Sequence, residues 1–574
     1  MTGYTEFADL RSDYITRGLV LLHPDQLGVE RSVHDEIYAK EIELFRAKEY
    51  ISAENLPEIT QVLEAPGLVE ACDILLDEDW AIMPFTHNTP FISGAFDQHW
   101  HKDDNGPYNA RRPRYHQPVQ IEMLYYPQAV AEDMGPTATL PYSQYWTLDS
   151  EENQDNFAGA DHLDFPYQIE GWESVPVSGK RSRYDPADVV ARNTEHDKRM
   201  RDAAKDLAWP LVEPFEAAPI EAGSVLLYSH NLFHRGNHRR DDWQLWREKP
   251  RFMWRFWLYR TKAPKTVSVP LQLSEREKGA DENVQAVWRS THSWWSSEAW
   301  EGDKPRIEDL YAMGESAEPV RIGTAYRLAN AGELDVLADA LRHNRESVRR
   351  ASTYGLASAG TRASNIFLDA CQAESKWTRK AGAFGLGVAG ETSDAVLDVL
   401  ANLLLEDAST YVRSYAADAM GQFVMRTDDP NLIFKAVASL LCALDQEVNR
   451  ESMDRVQNRS IKFVRPTDEC DICEGIGITL GFDRFEPVRS IVRENALVSL
   501  VIATQHDIAQ VPGLLDNLER IASDDPNMFS AGLALDALVR IVGDEDERAV
   551  SLVANAETLC WPSLVRAGYS RSLA

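Results

Sequence analysis

Small residues recurring behind an arginine constrain this chain more than any other feature. RIGTAYRLANAG, VRRASTYGLASAG, TRKAGAFGLGVAG and VRSYAADAMGQF align on Arg321, Arg349, Arg379 and Arg413, which are 28, 30 and 34 positions apart. Weaker copies, VRENALVSLVIA and FSAGLALDALVRI, follow. Ala and Gly on one helix face let the next helix approach closely, so each helical pair buries its apolar stripe on its neighbour. From about Arg321 onward the chain therefore reads as stacked helices.

These segments resemble HEAT repeats of the short Ala/Gly-rich kind over roughly the last 250 residues. The resemblance implies an all-α solenoid over 319–574, with an extended concave surface on which a protein partner would bind. Cys470 and Cys473 fall between repeats, in TDECDICEG. A lone CxxC with no second pair and no nearby histidine is weak evidence for zinc.

A chain of 574 residues is too long for one ordinary core, so at least one further domain precedes the repeats. Residues 1 to about 80 mix helix and strand. ITRGLVLLHPDQLG reads as an exposed helix end, a short buried strand and a turn; VHDEIYAKEIELFRAKEY has helical spacing, with Ile37, Ile42 and Phe45 facing one way. From about Ala81 to Tyr145, short apolar runs alternate with Pro, Gly and Asn, as in an antiparallel β fold, and VQIEMLYYP (Val119–Pro127) is one of its clearest strands. A polar stretch over 148–210 reads as an insertion and a candidate lid. Strand character returns at Ser224–Ser229 and at RFMWRFWLYR (Arg251–Arg260). Residues 271–318 form a connector containing Trp288, Trp294, Trp295 and Trp300, expected to pack against the regions on either side.

The net charge of −32 argues against a nucleic-acid partner, because phosphate binding needs clustered Lys and Arg, and it also disfavours anionic membrane surfaces. No apolar run is long enough to span a bilayer, and MTGYTEFADLRSDY lacks the basic and apolar regions of a signal peptide. Six cysteines in so long a chain do not form a disulfide framework. The expected location is the cytoplasm.

Two histidines and a carboxylate form the facial triad of non-haem iron enzymes. H-x-D occurs three times: His23-Pro24-Asp25, His101-Lys102-Asp103 and His162-Leu163-Asp164. The first has Pro inside the pair and lies in a turn, and the third lies in the polar insertion. Only the second follows a β-like run, FISGAFDQHW, and precedes a Gly-containing loop. Taken alone it would be a hydrogen-bonded loop pair. A distal stretch, AGSVLLYSHNLFHRGN, gives a Gly turn, a buried strand and then His234 where the strand ends, with His230 as the rival ligand.

With these pieces in place, the first 260 or so residues resemble the phytanoyl-CoA dioxygenase family of Fe(II)/2-oxoglutarate oxygenases. The matching pieces are GLVLLHPDQL, HWHKDD, MGPTATLPYSQYW and GSVLLYSHNLFHRGNH followed by RFMWRFWLYR. In the third piece Tyr142 and Gln144 replace the Gly and His of the family pattern. The resemblance implies a double-stranded β-helix (jelly-roll) over 1–270. It implies Fe(II) held by His101, Asp103 and His234, with 2-oxoglutarate and O2 as cosubstrates. An arginine would grip the far carboxylate of 2-oxoglutarate bidentately, and Arg251 is the best match with Arg255 the runner-up. Gln120 is a further polar contact for cosubstrate or substrate, or else an ordinary strand-surface residue. The family's halogenating relatives lack the carboxylate, so its presence as Asp103 implies oxidation, most simply hydroxylation of a small organic metabolite. The alternatives are a protein hydroxylase whose solenoid binds the protein partner, and a scaffold without iron.

Overall fold

The computed structural model describes residues 3–47, 51, 56–83, 87–88, 100, 102, 112–147, 198, 214–237, 248–266, 269–313, 318–451, 490–543 and 546–555. The chain opens with α1 (Leu10–Arg17), which stops at Gly18 in the left-handed conformation, φ 78°. A Cβ there would lie 2.6 Å from Gln144 Oε1, so both backbone and space call for glycine. From this corner β1 (Leu19–Leu22) departs, buried throughout. His23 then caps α2 (Pro24–Leu27): its side chain accepts from the Asp25 amide, and Gln26 returns to the His23 amide. The first H-x-D is thus a helix cap.

In α3 (Arg31–Ala47) Ile37 is buried, and Ile42 and Phe45 pack partly buried against the same core, as their spacing requires. The helix also sinks Glu41, which accepts a 2.6 Å hydrogen bond from Trp254 Nε1. Two further helices, α4 (Ile59–Leu63) and α5 (Pro66–Leu76), complete this layer.

The strands that follow are β2 (Ala81–Ile82), β3 (His87–Asn88), β4 (Gln120–Tyr125), β5 (Thr137–Thr139), β6 (Phe215–Glu216), β7 (Val225–Ser229), β8 (His234–Gly236) and β9 (Trp254–Tyr259). They form a larger sheet of order β1-β7-β4-β9-β2, with β3 also on β9, and a smaller sheet of order β6-β5-β8. Every pairing is antiparallel. The register sorts side chains by parity. Ile121, Met123 and Tyr125 share the outer face with Leu227, Val225 and Phe256, against the helices. Gln120, Glu122 and Leu124 share the inner face with Tyr228 and Leu226, towards the smaller sheet. Tyr126 OH, 2.8 Å from Thr137 Oγ1, ties the two sheets together.

The strand expected over Arg251–Arg260 begins only at Trp254. Upstream, the Phe252 amide and carbonyl are both taken by the Gln128 side chain, at 2.9 and 3.1 Å, which replaces a strand partner. The sheets establish an antiparallel β region. Residues 89–99 and 238–247, where a jelly-roll would close, lie outside the described residues, as do most of the 148–210 insertion and Cys470 and Cys473.

The connector holds α6 (Glu275–Lys278) and α7 (Glu282–Ser296). Trp288 and Trp295 on α7 are buried, the first beside Tyr142 and the second beneath the Arg11 guanidinium. On its other side α7 meets the first repeat helix, where a Cβ on Gly323 would lie 2.4 Å from the Asn283 carbonyl oxygen.

The helical region comprises α8 (Glu318–Asn330), α9 (Leu334–Ala340), α10 (Glu346–Ser358), α11 (Ser364–Ala370), α12 (Lys376–Ala389), α13 (Asp394–Glu406), α14 (Thr410–Val424), α15 (Pro430–Glu451), α16 (Ile491–Ala503), α17 (Leu514–Asp524), α18 (Met528–Val542) and α19 (Glu547–Asn555). The repeat arginines all occupy the fourth position of a first helix. Arg349, Arg379 and Arg413 donate to the carbonyls of His343, Ala373 and Asp407, each six residues back, and so satisfy the turn before their own helix. Close approach between successive first helices is literal: a Cβ on Gly355 would lie 2.6 Å from the Ala325 carbonyl oxygen. No described helix is long and apolar enough to cross a membrane. One continuous apolar core runs from α1 through the larger sheet's outer face into α19.

Candidate functional site

The inner face of the larger sheet changes character along its strands. Leu19, Leu21, Leu124 and Leu226 form an apolar middle. On one side of it, Glu122 is fully buried and accepts from Tyr228 OH at 2.7 Å and His230 Nδ1 at 2.9 Å. A carboxylate inside a buried strand is costly unless it is hydrogen-bonded, and both of its oxygens are engaged here. Gln120, one pleat away and 5% exposed, is no surface residue. Its amide nitrogen stands 3.5 Å from His230 Nδ1, at the edge of hydrogen-bonding range. His230, the rival ligand, is thus committed through Nδ1 to Glu122.

On the other side of the apolar middle stand Tyr126 and Arg251. Arg251 is fully buried, its guanidinium carbon 5.9 Å from the Tyr126 ring centre. Burial raises the Tyr126 phenol above its ordinary value, against the opposing pull of the Arg251 guanidinium. Arg255 pairs in register with Leu124 and therefore shares the inner face, but it is only partly buried. Of the two arginines, Arg251 is the one withdrawn from water.

His234 opens β8, pairs in register with Thr139 and is fully buried, its ring 5.1 Å from that of Tyr228. Its Nδ1 lies 3.1 Å from the Leu232 carbonyl oxygen. A carbonyl can only accept, so Nδ1 is the donor here, and Nε2 is the nitrogen left to face a metal.

His101 and Asp103 lie outside the described residues, but the residues flanking His101 do not. Trp100 is buried with its ring 4.5 Å from the guanidinium carbon of Arg235. Lys102 is buried, its ammonium 4.8 Å over the Phe233 ring and donating to the Trp146 carbonyl at 2.9 Å. Positions 100 and 102 therefore contact positions 235 and 233, the immediate neighbours of His234. Among the described residues no group of three or more His, Cys, Asp or Glu could hold a metal. His234, Arg251, Gln120 and Arg255 all belong to the region between the sheets. The Glu122, Tyr228 and His230 network was missed from sequence, although a glutamate centred in VQIEMLYY was a readable anomaly.

Residues 334–421, from α9 into α14, match the family model for HEAT repeats. No curated protein matches the chain. Among the solved structures similar to part of the chain are these two. One is the non-heme alpha ketoglutarate dependent carbocyclase SnoK from nogalamycin biosynthesis, 12% identical, covering 45% of this chain and 88% of that one with a TM-score of 0.28. The other is the non-heme alpha ketoglutarate dependent epimerase SnoN of the same biosynthesis, 12% identical, covering 48% and 91% with a TM-score of 0.29. Those scores are too low to carry an argument about fold or chemistry.

Proposed function

We propose that residues 1–270 form a jelly-roll oxygenase in which His101, Asp103 and His234 hold Fe(II). In this reading Arg251 grips the far carboxylate of 2-oxoglutarate, and O2 is the second cosubstrate. The substrate is a small organic metabolite, oxidised most simply by hydroxylation, with succinate and CO2 as coproducts. The observation that carries this reading is the contact of Trp100 and Lys102, the sequence neighbours of His101, with Arg235 and Phe233, the sequence neighbours of His234.

The residues fit the group they would hold. Two imidazoles and one carboxylate suit Fe(II) and leave positions for a keto acid and oxygen. With Nδ1 engaged by the Leu232 carbonyl, His234 would meet the metal through Nε2. Arg251 is buried beside the Tyr126 ring, and its planar guanidinium is the group that can grip a carboxylate bidentately. When bound, iron with 2-oxoglutarate supplies the oxidising chemistry. The protein's part is positional: the Leu232 carbonyl fixes the His234 ring, and the apolar middle of the inner face excludes water. Glu122 and Tyr228 hold His230 beside the site. Gln120 and Arg255 are the further polar side chains placed to meet cosubstrate or substrate.

A protein partner on the helical repeats is the second reading. Tyr326, Tyr354, Phe384 and Asp418, one from each of four first helices, are already covered by residues 115–116 and their neighbours. The small-molecule reading is favoured for that reason. Its test is succinate formation from 2-oxoglutarate by the full-length protein with Fe(II) and O2. Slow substrate-independent turnover that is lost in His234→Ala is expected, and turnover equal in both proteins would refute the assignment.

A further inference from the structure

Tyr326, Tyr354, Phe384 and Asp418 share one property: each stands five residues after a repeat arginine. The same repeat position, on four successive first helices, meets one short segment of the sheet region. His116 stacks on Tyr354, with ring centres 3.6 Å apart, and its Nδ1 lies 2.7 Å from Tyr326 OH. Tyr354 OH donates to the Arg114 carbonyl at 2.8 Å. Tyr115 lies against Phe384, with ring centres 5.2 Å apart, and donates its hydroxyl to Asp418. Arg112 closes the row with a 2.7 Å ion pair to Asp418, both side chains being 1% exposed.

The other side of this segment faces the distal histidine. The Asn231 side chain donates to the Tyr115 carbonyl, and Arg114 reaches the Asn231 side-chain oxygen at 3.4 Å and the His230 carbonyl at 3.5 Å. His230 and Asn231 form the turn that delivers His234. The segment also leads into β4 and hence to Gln120 and Glu122.

We propose that the solenoid positions the candidate metal site through residues 112–116, with Tyr354 and Asp418 as positioning residues that fix the turn carrying His234. The desolvation cost of a buried ion pair offsets its attraction, so the Arg112–Asp418 pair adds little to adhesion while tying the segment to one repeat position. The metal part of the inference rests on the oxygenase reading, whereas the mechanical part does not.

The experiment uses the full-length protein and compares Tyr354→Phe, Asp418→Asn and, as a control, Gln505→Ala. Tyr354→Phe removes one hydroxyl and keeps the stack on His116. Gln505 bonds the Thr261 carbonyl at 2.9 Å, a solenoid-to-sheet contact away from the segment. Hydrogen exchange is followed at the Asn231, Leu232 and Phe233 amides, which are bonded to Ser229 and Ser143. Fe(II) affinity is measured alongside. Exchange there is expected to quicken about tenfold in the two test variants and not in the control. Fe(II) binding should weaken about 10- to 100-fold, the range for outer partners of a metal ligand. Unchanged exchange in Tyr354→Phe, or an equal effect from Gln505→Ala, overturns the proposal, and so does faster exchange with unaltered Fe(II) affinity. A wild-type protein that binds no Fe(II) removes the oxygenase reading, and the exchange data still decide the mechanical link.

Discussion

The two faces of the larger sheet are built from the same strands to opposite ends. The outer face (Ile121, Met123, Tyr125, Leu227, Phe256) is apolar and continuous with the core of the helical region. The inner face places an apolar middle between two polar ends, Glu122 with Tyr228 and His230 at one and Tyr126 with Arg251 at the other. Uniform apolar packing favours stability, because nothing buried there has to find a partner. Polar groups in the interior cost stability unless each is satisfied, and that cost is tolerated where chemistry needs fixed donors and charges. The difference teaches that the outer face holds the molecule together, whereas the inner face carries the buried polar groups on which the proposed function draws.

The largest expected effect lies on the inner face. His234→Ala should lower 2-oxoglutarate turnover by more than about a hundredfold, beyond the loss typical of an outer partner, while the far-ultraviolet circular dichroism stays native. An outer-face change should do the reverse. Met123→Ala is expected to cost about 2–5 kcal/mol in denaturant unfolding and to leave 2-oxoglutarate affinity within about twofold, since truncating the thioether side chain on that face perturbs packing alone. Glu122→Gln sharpens the comparison. It keeps the shape but pairs an amide with donors that expect a carboxylate, and should cost about 1–3 kcal/mol by the same measurement. The smallest effect belongs to Arg251→Lys, which keeps the charge and loses the planar fork. About a tenfold rise in the 2-oxoglutarate Kd, near 1.4 kcal/mol, is expected by calorimetric titration.

Where a single period governs the chain, its sequence was legible. The arginine-anchored repeats predicted the first helices because Ala and Gly are required wherever two helices touch, as at Gly355. Ile37, Ile42 and Phe45 marked the buried side of α3 by spacing alone. Legibility failed where a side chain substitutes for a backbone partner. Gln128, 124 residues away from Phe252, ends the expected strand early, and no local pattern announces it. Glu41 failed for a related reason: its partner, Trp254, lies on a distant strand. In the candidate site, motif order singles out His234 and Arg251, both of which are buried, but the grip of residues 112–116 on the solenoid could not be read. It depends on a repeat position whose residue type changes from Tyr to Phe to Asp while its place in space is kept.

The most direct measurement is an anaerobic titration of the full-length protein with Fe(II) and then 2-oxoglutarate, following visible charge-transfer absorption and bound iron. The prediction is one Fe(II) per chain and a new absorption band on adding 2-oxoglutarate. The band should vanish in His101→Ala and in His234→Ala, and should demand more 2-oxoglutarate in Arg251→Ala. A folded wild-type protein that binds no Fe(II), or binds it equally well without His234, would contradict the assignment of the inner face as an iron site.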